Sequence, residues 1–464
     1  MKQKEPTKAT NKRPASQASP TELYARGKRL RDQCPLSAQA EWKAPEHHPD
    51  PLRLLEQSNE GRIPELIPIR FGRMVQTPFT FYRGAALNMA SDLAHTPVSG
   101  LRVQACGDCH LLNFGGYATP ERRLVFDIND LDETLPAPWE WDVKRLAASI
   151  VLACRNNGFS VGDTRDAALS CARAYRERMA EYSQMTVLDV WYASIDIGTI
   201  LPRLNKRASR RVQKQLAATR ARNVSEHHFP GLVTVAGQVP TIKDNPPLLY
   251  HPTAEGKEDL VTRAHKEWSS YLESLQDDRR ALIDHYELKD IAIKVVGVGS
   301  VGTYCCVLLL MAGEQDFLLL QAKEARASVL EAYAGKSIYQ NQGQRVVNGY
   351  HLMQAASDIF LGWGQGPLGR QVYIRQLRDM KMGALVDQFR AAEMAEYADL
   401  CGWTLARAHA RSGAPAQISG YLGNSDAFDK AIAAFATAYA DQSERDYALL
   451  EKAVRSGAVT AVME

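Results

Sequence analysis

The sequence predicts an α+β protein in which a mainly helical part accompanies a smaller, β-rich part placed late in the chain. Three observations carry that expectation. From Ile291 the run IAIKVVGVGSVGTYCCVLLLMAGEQDFLLLQAKEA sets β-branched and aliphatic stretches between glycines, the texture of an antiparallel meander turning at Ala312-Gly313. Between Trp141 and about Tyr182, the residues Val143, Leu146, Ala147, Ile150 and Val151 fall on one stripe of a helix. From residue 388 onward the pattern is again helical, with alanine-rich amphipathic spacing at 426–453.

With 464 residues, 45% of them hydrophobic, the chain is long enough for two or three domain-sized units and a core that needs no staples. Its 56 basic and 53 acidic residues leave a formal net charge of +3, a balance that argues against a general nucleic-acid or membrane binder. The eight cysteines lack the density of a secreted disulfide scaffold, so reduced thiols are expected. No apolar run follows the basic N-terminus, so neither a signal peptide nor a transmembrane helix is predicted, and a cytoplasmic location is the expectation.

In chain order, residues 1–20 carry almost no large apolar side chains and read as a disordered tail, taken to end at residue 24. The segment PFTFYRGAALNMASDLA at 78–94 moves from aromatic alternation into a helical pattern. Residues 101–134 read as a strand, a polar loop, a turn at Thr119-Pro120 and a second strand from Arg123 to Phe126. The helical stripe beyond Trp141 reads as core, not chemistry. Between Arg203 and Arg222 eight basic residues occur without an acid, either a solvated face or a surface for an acidic or phosphate-rich ligand. A helix near 343–357 and a strand near 371–377 precede the C-terminal helices.

The richest chemistry lies in Gly107-Asp108-Cys109-His110-Leu111-Leu112-Asn113, followed by Asp127 at the end of an apolar strand. Phosphoryl transfer uses such a set: one carboxylate orients or deprotonates the attacking hydroxyl, while an amide oxygen and a second carboxylate hold magnesium against the phosphates. Asp108, with His110 beside it, fills the first role; Asn113 and Asp127 fill the metal roles, with Asp130 as a further metal contact. The plainer alternative is an ordinary Gly-Asp turn and a loop of solvated acids.

Gly297-Val298-Gly299-Ser300-Val301-Gly302 fits Gly-x-Gly-x-x-Gly, with Gly297, Gly299, Ser300 and Gly302 as the expected phosphate lid. A Rossmann turn needs a helix directly after the glycines, whereas Thr303 to Met311 has strand texture, so a strand-loop-strand flap fits better. Lys323 ends the next strand, where a phosphate-neutralising lysine belongs, with a solvent-facing edge lysine as the alternative. Glu324 points to the other face of that strand, which leaves Glu331 as the expected partner of the lysine. ATP and magnesium are the implied ligands, with an unidentified small-molecule or protein acceptor.

Gly107 to Asn113 resembles the catalytic loop of the aminoglycoside and choline kinase branch of the protein-kinase-like superfamily, His-Gly-Asp-x-His-x-x-Asn, with Cys106 in place of the first His. The resemblance implies that Asp108 is the catalytic base and that Asn113 and Asp127 are the metal ligands. It also implies a two-lobed, protein-kinase-like fold. The glycine flap follows the loop by roughly 190 residues instead of preceding it, so the fold would be circularly permuted. Residues 25–285 would then form the helical lobe, 286–385 the nucleotide lobe, and 386–464 the helices completing the first.

The chain also resembles the uncharacterised bacterial family called domain of unknown function 2252, through RFGRM at 70–74, FYRGAA at 81–86, CGDCHLLNFG at 106–115 and FDINDLDET at 126–134. That family implies no activity. Other readings stay open: a nucleotide-binding regulator without catalysis, a nucleotidyl transferase, and a c-type haem or thiol redox protein through Cys106-x-x-Cys109-His110.

Overall fold

In the computed structural model, the structure describes residues 18–228, 231–236, 239–251, 264, 267–314, 316–366, 369–377 and 380–463. Strands β1 (Arg102–Ala105) and β4 (Leu135–Pro138) pair antiparallel and frame the segment that contains Asp108. Inside that frame, β2 (Phe114–Ala118) and β3 (Leu124–Ile128) form a hairpin, with a turn after Thr119 as the sequence predicts. The short β13 (Met382–Gly383) adds to the edge of β2.

Long helices cover these strands. Trp139–Asn156, Val161–Tyr182, Ala391–Ser412 and Ala427–Arg455 bury their apolar stripes in one core that also takes in Leu111, Phe114, Ile128 and Leu135. Two of these helices touch backbone to backbone, since a Cβ on Gly402 would stand 2.2 Å from the Cys171 carbonyl oxygen. Any larger residue at 402 would force Val161–Tyr182 away.

A small hairpin, β5 (Val233–Ala236) and β6 (Val239–Ile242), leads to the second sheet. Its strands are β7 (Leu249–Tyr250), β8 (Glu287–Lys294), β9 (Cys305–Ala312), β10 (Asp316–Glu324), β11 (Gly362–Gly366) and β12 (Arg370–Gln376). They lie in the order β11-β12-β10-β9-β8-β7, and each pair is antiparallel. The expected meander is therefore present, with glycines between β8 and β9 and a turn at Gly313.

The central strands read as continuous apolar runs because both sheet faces are covered. Leu308, Leu310, Leu318 and Leu320 pack on one side with Tyr271 and Phe360. Their alternating neighbours Val307, Leu309, Phe317 and Leu319 pack on the other with Val233 and Ile242. Period-two side-chain geometry thus divides one greasy sequence between two cores.

Two local expectations change. The aromatic alternation at 78–84 is a helix, Pro78–Gly84, because Thr77 caps it and Pro78 occupies its first turn; a second helix, Ala86–Leu93, follows. The helix Pro20–Arg29 begins within the range assigned to the tail, held by a reciprocal Ser19–Glu22 capping box, while residues 1–17 of that tail lie outside the described residues.

The basic stretch enters the helix Lys206–His228. Arg203 lies over Trp403 at 5.1 Å, and Arg207 and Arg211 approach Glu393 at 3.4 and 3.6 Å, so part of its charge is met internally. The side chains of Arg220 and Arg222 lie outside the described residues. Among the described residues no helix is long and apolar enough to cross a membrane.

Candidate functional site

The loop carrying Asp108 is shaped from beneath by the helix Trp139–Asn156. The backbone N–H groups of Cys106 and Gly107 donate to the Asp142 carboxylate at 2.6 and 3.0 Å. His409 Nε2 meets the same carboxylate at 3.0 Å, and its Nδ1 lies 2.9 Å from the Tyr175 hydroxyl. Leu111 N–H donates to Ser149 Oγ at 3.0 Å. Gly107 has φ +85°, and a Cβ there would stand 2.4 Å from the Glu133 carbonyl oxygen, so glycine is required on both counts.

Three residues beyond Asp142 on the same helix face, Arg145 grips Asp108. Its Nε donates to Oδ1 at 2.8 Å and its Nη2 donates to the same oxygen. Burial works against the Arg145 charge, but Asp108 and the Tyr82 hydroxyl outweigh it and raise its pKa. Reading this helix as core alone was therefore incomplete. Its signal was visible in Trp-Glu-Trp-Asp-Val-Lys-Arg, where Glu140, Asp142, Lys144 and Arg145 are all buried charges. Asn113 joins the loop by donating from Nδ2 to the Asp108 carbonyl oxygen at 2.7 Å, and its Oδ1 accepts no hydrogen bond among the described residues.

His110 lies beside Asp108, with Nε2 3.8 Å from Oδ2, while its Nδ1 accepts the Leu112 N–H at 3.3 Å. Burial depresses its pKa to about 3 against the opposing pull of Asp108, from an ordinary value of 6.5. The ring is neutral at pH 7 and serves as a cap. Between pH 6.5 and 3 the unfolded chain binds a proton that the folded chain refuses, so stability falls as pH falls, by up to about 1.4 kcal/mol per pH unit. A His110→Asn variant, which keeps an acceptor for Leu112, is expected to lose less stability than the wild type between pH 7 and 5. Parallel denaturant-derived stability curves would show that His110 is not held neutral.

The acids after β3 separate into two environments. Asp127 is buried and faces away from the loop: Arg407 Nη2 meets Oδ1 at 2.5 Å, and Oδ2 accepts the Ala355 N–H at 2.9 Å. It does not line the cleft described below, which its predicted metal role requires. Asp130 and Asp132 do line it. Lys323, at the end of β10, reaches them at 3.3 and 2.5 Å, and the Tyr373 hydroxyl donates to Asp132 at 2.5 Å.

Burial opposes the Asp132 charge, but Lys323 and the Tyr373 hydroxyl outweigh it and hold its carboxyl at about 2. Burial and the neighbouring Asp132 push Asp130 up. The two acids raise Lys323 despite its own burial. The predicted partner Glu331 instead accepts from Gln342 Nε2 at 3.3 Å. Arg345, unnoticed in the sequence, binds the carbonyls of Asp132, Thr134 and Arg326 at 2.9, 2.6 and 2.7 Å and straps the acid segment to the chain beyond β10.

These groups meet at a polar cleft of about 270 Å³ lined by Asp108, Asn113, Asp130, Asp132, Gly299 and Ser300. Gly297 and Gly302 fix the flap from behind: Arg73 donates to the Gly297 carbonyl at 2.6 Å, and the Gly302 carbonyl accepts the Ile63 N–H at 2.8 Å. Both have positive φ, +66° and +84°, a conformation that glycine adopts without strain. The flap joins β8 to β9 and so is strand-loop-strand.

All eight cysteines are free and buried. Cys106 and Cys109 are wholly enclosed in the helical core. A contact with Cys109 pulls the Cys106 thiol down, but burial and nearby carboxylates outweigh it and leave it at about 11; burial raises Cys109 well above its ordinary range. Neither thiol is poised for exchange or open to a macrocycle in this fold.

No curated protein and no solved structure matches the chain. The family described as an uncharacterized protein conserved in bacteria, domain of unknown function 2252, matches residues 62–453, and the chain belongs to that family.

Proposed function

We propose that the chain is an ATP- and magnesium-dependent phosphotransferase with a kinase-like site. The observation that carries the reading is one cleft where Asp108 and Asn113, the acids Asp130 and Asp132, and the glycine flap converge from distant parts of the sequence. Lys323 bridges the two acids at its edge. In this proposal Arg145 fixes Oδ1 of Asp108, and Oδ2 accepts the proton of an acceptor hydroxyl. The lobe order, with flap and lysine after the loop, makes the proposed kinase-like fold a permuted one.

The donor set fits magnesium. Asp130, Asp132 and Asn113 Oδ1 offer hard oxygens, and this ion takes one or two carboxylates together with water and phosphate oxygens. Among the described residues there is no group of three or more His, Cys, Asp or Glu arranged to hold a metal. Bound there, magnesium would neutralise phosphate charge. The buried guanidinium nitrogens Arg70 Nε and Arg83 Nε, which have no hydrogen-bond partner among the described residues, fit the anionic part of a nucleotide.

Calorimetric titration of ATP with magnesium is the test. The wild type is expected to bind, and Asp130→Asn to bind at least about tenfold more weakly, a change of ~1.4 kcal/mol. A folded wild type that binds no ATP would sink the proposal. Movement of label from the terminal phosphate to an acceptor marks phosphoryl transfer, whereas movement from the α-phosphate would recast the site as a nucleotidyl transferase.

A further inference from the structure

One wall of the cleft is rich in arginines that, among the described residues, no close ion pair engages. Arg62, Arg70, Arg83 and Arg326 all line it. Among the described residues none of the four makes an ion pair with a carboxylate within hydrogen-bonding range. Their protein partners are neutral: Arg62 donates to the carbonyls of Ser58 and Val301, at 2.8 and 2.5 Å. Arg70 donates to the Gly84 carbonyl at 2.8 Å and to the Asn59 amide oxygen. Arg326 donates to the Glu60 carbonyl.

Arg70 is only 1% exposed, and among the described residues its Nε, like that of Arg83, has no hydrogen-bond partner. Burial and mutual repulsion both act on the group: burial first, then Arg326, outweigh the pull of Glu133 and Glu324 and lower Arg62 to about 10, and burial, then Arg62 and Arg326, lowers Arg70 strongly.

Apart from Glu60, the acids of the cleft have closer protein partners than these arginines. Lys323 takes Asp130 and Asp132, Arg145 takes Asp108, and Arg370 takes Glu324 at 2.7 Å. Glu133 accepts the Val329 N–H at 2.8 Å and is itself pushed up by burial. Clustered, partly desolvated guanidinium groups without counter-charges are costly unless an anion completes them. Their planar, multiply donating forks match tetrahedral oxyanions.

We infer that Arg62, Arg70, Arg83 and Arg326 form a binding subsite for a phosphate-class anion, on the cleft wall beside Asp108. Two sources share that chemistry: the terminal phosphates of a nucleotide, or a phosphate carried by the acceptor. The subsite stands on its own geometry, and only its assignment to donor or acceptor rests on the phosphotransferase proposal.

The experiment is calorimetric titration of inorganic phosphate and pyrophosphate into the full-length protein without magnesium, for wild type, Arg83→Gln and Arg70→Met. Binding by the wild type is expected, weakened at least about tenfold in Arg83→Gln. Because Arg83 makes no hydrogen bond among the described residues, that variant should keep the wild-type Tm, which a structural arginine would not. If Arg70→Met fails to fold, the half-buried Arg326→Gln replaces it. Absence of phosphate and pyrophosphate binding by folded wild type, or unchanged affinity in the variants, overturns the subsite. Repeating the titration with saturating ATP and magnesium assigns the source: competition points to the nucleotide, simultaneous binding to the acceptor. Pyrophosphate binding without any ATP binding would remove the phosphotransferase proposal and leave the anion subsite standing.

Discussion

Asp108→Asn is expected to lower turnover with ATP and magnesium by roughly 10²–10⁴-fold, the usual contribution of a positioned acid or base. ATP affinity should change little, because the proposed metal donors Asp130, Asp132 and Asn113 are untouched. The variant will also be less stable. Arg145, buried beneath the loop, loses the carboxylate that its Nε and Nη2 share. Turnover must therefore be measured well below the thermal transition of the variant, with folding checked by circular dichroism. Wild-type turnover in folded Asp108→Asn would remove Asp108 from the chemistry, whatever the fate of the ATP site.

Asp127→Asn is expected to act in the opposite way, costing about 3–5 kcal/mol of stability while leaving ATP and magnesium binding intact in the surviving folded protein. Its partner Arg407 is fully buried, and among the described residues Arg407 Nε and Nη1 have no hydrogen-bond partner. Removing the Asp127 charge leaves that guanidinium with neutral acceptors only, the new amide oxygen and the Met353 carbonyl at 2.7 Å. Unfolding by denaturant reads the first effect and calorimetry the second. Loss of magnesium-dependent binding without loss of stability would return Asp127 to the metal role that its sequence position suggests.

The contrast between these two aspartates shows how far the sequence can be read. Asp108 follows β1 and Asp127 lies near the end of β3, each in a motif that looks catalytic. The position of Asp127 inside β3 sends its side chain to the covered side, whereas Asp130 and Asp132, past the end of the strand, are free to turn into the cleft. A spacing of residues does not distinguish these outcomes. The arrangement of Arg407, 280 residues away in the chain, does.

The partner of Lys323 was hidden for the same reason. Nearby Glu331 was the local choice, but the lysine reaches Asp132 across 191 residues. The arginine wall gave a weaker signal still, since Arg62 lies in a bend, Arg70 and Arg83 lie in two separate helices, and Arg326 follows β10. One signal was available and passed over: buried charges at Asp142 and Arg145 interrupt an otherwise apolar helix.

By itself the sequence determined the meander, the long helices, the glycine flap as a strand-loop-strand turn, and the loop around Asp108. These follow from backbone periodicity and from steric demands, which act over a few residues. Only the tertiary structure decided which acid faces the cleft, which acids hold Lys323, and that four arginines share one wall of it. Those choices are made by charges that meet after folding, where burial makes each pairing strong and each omission costly.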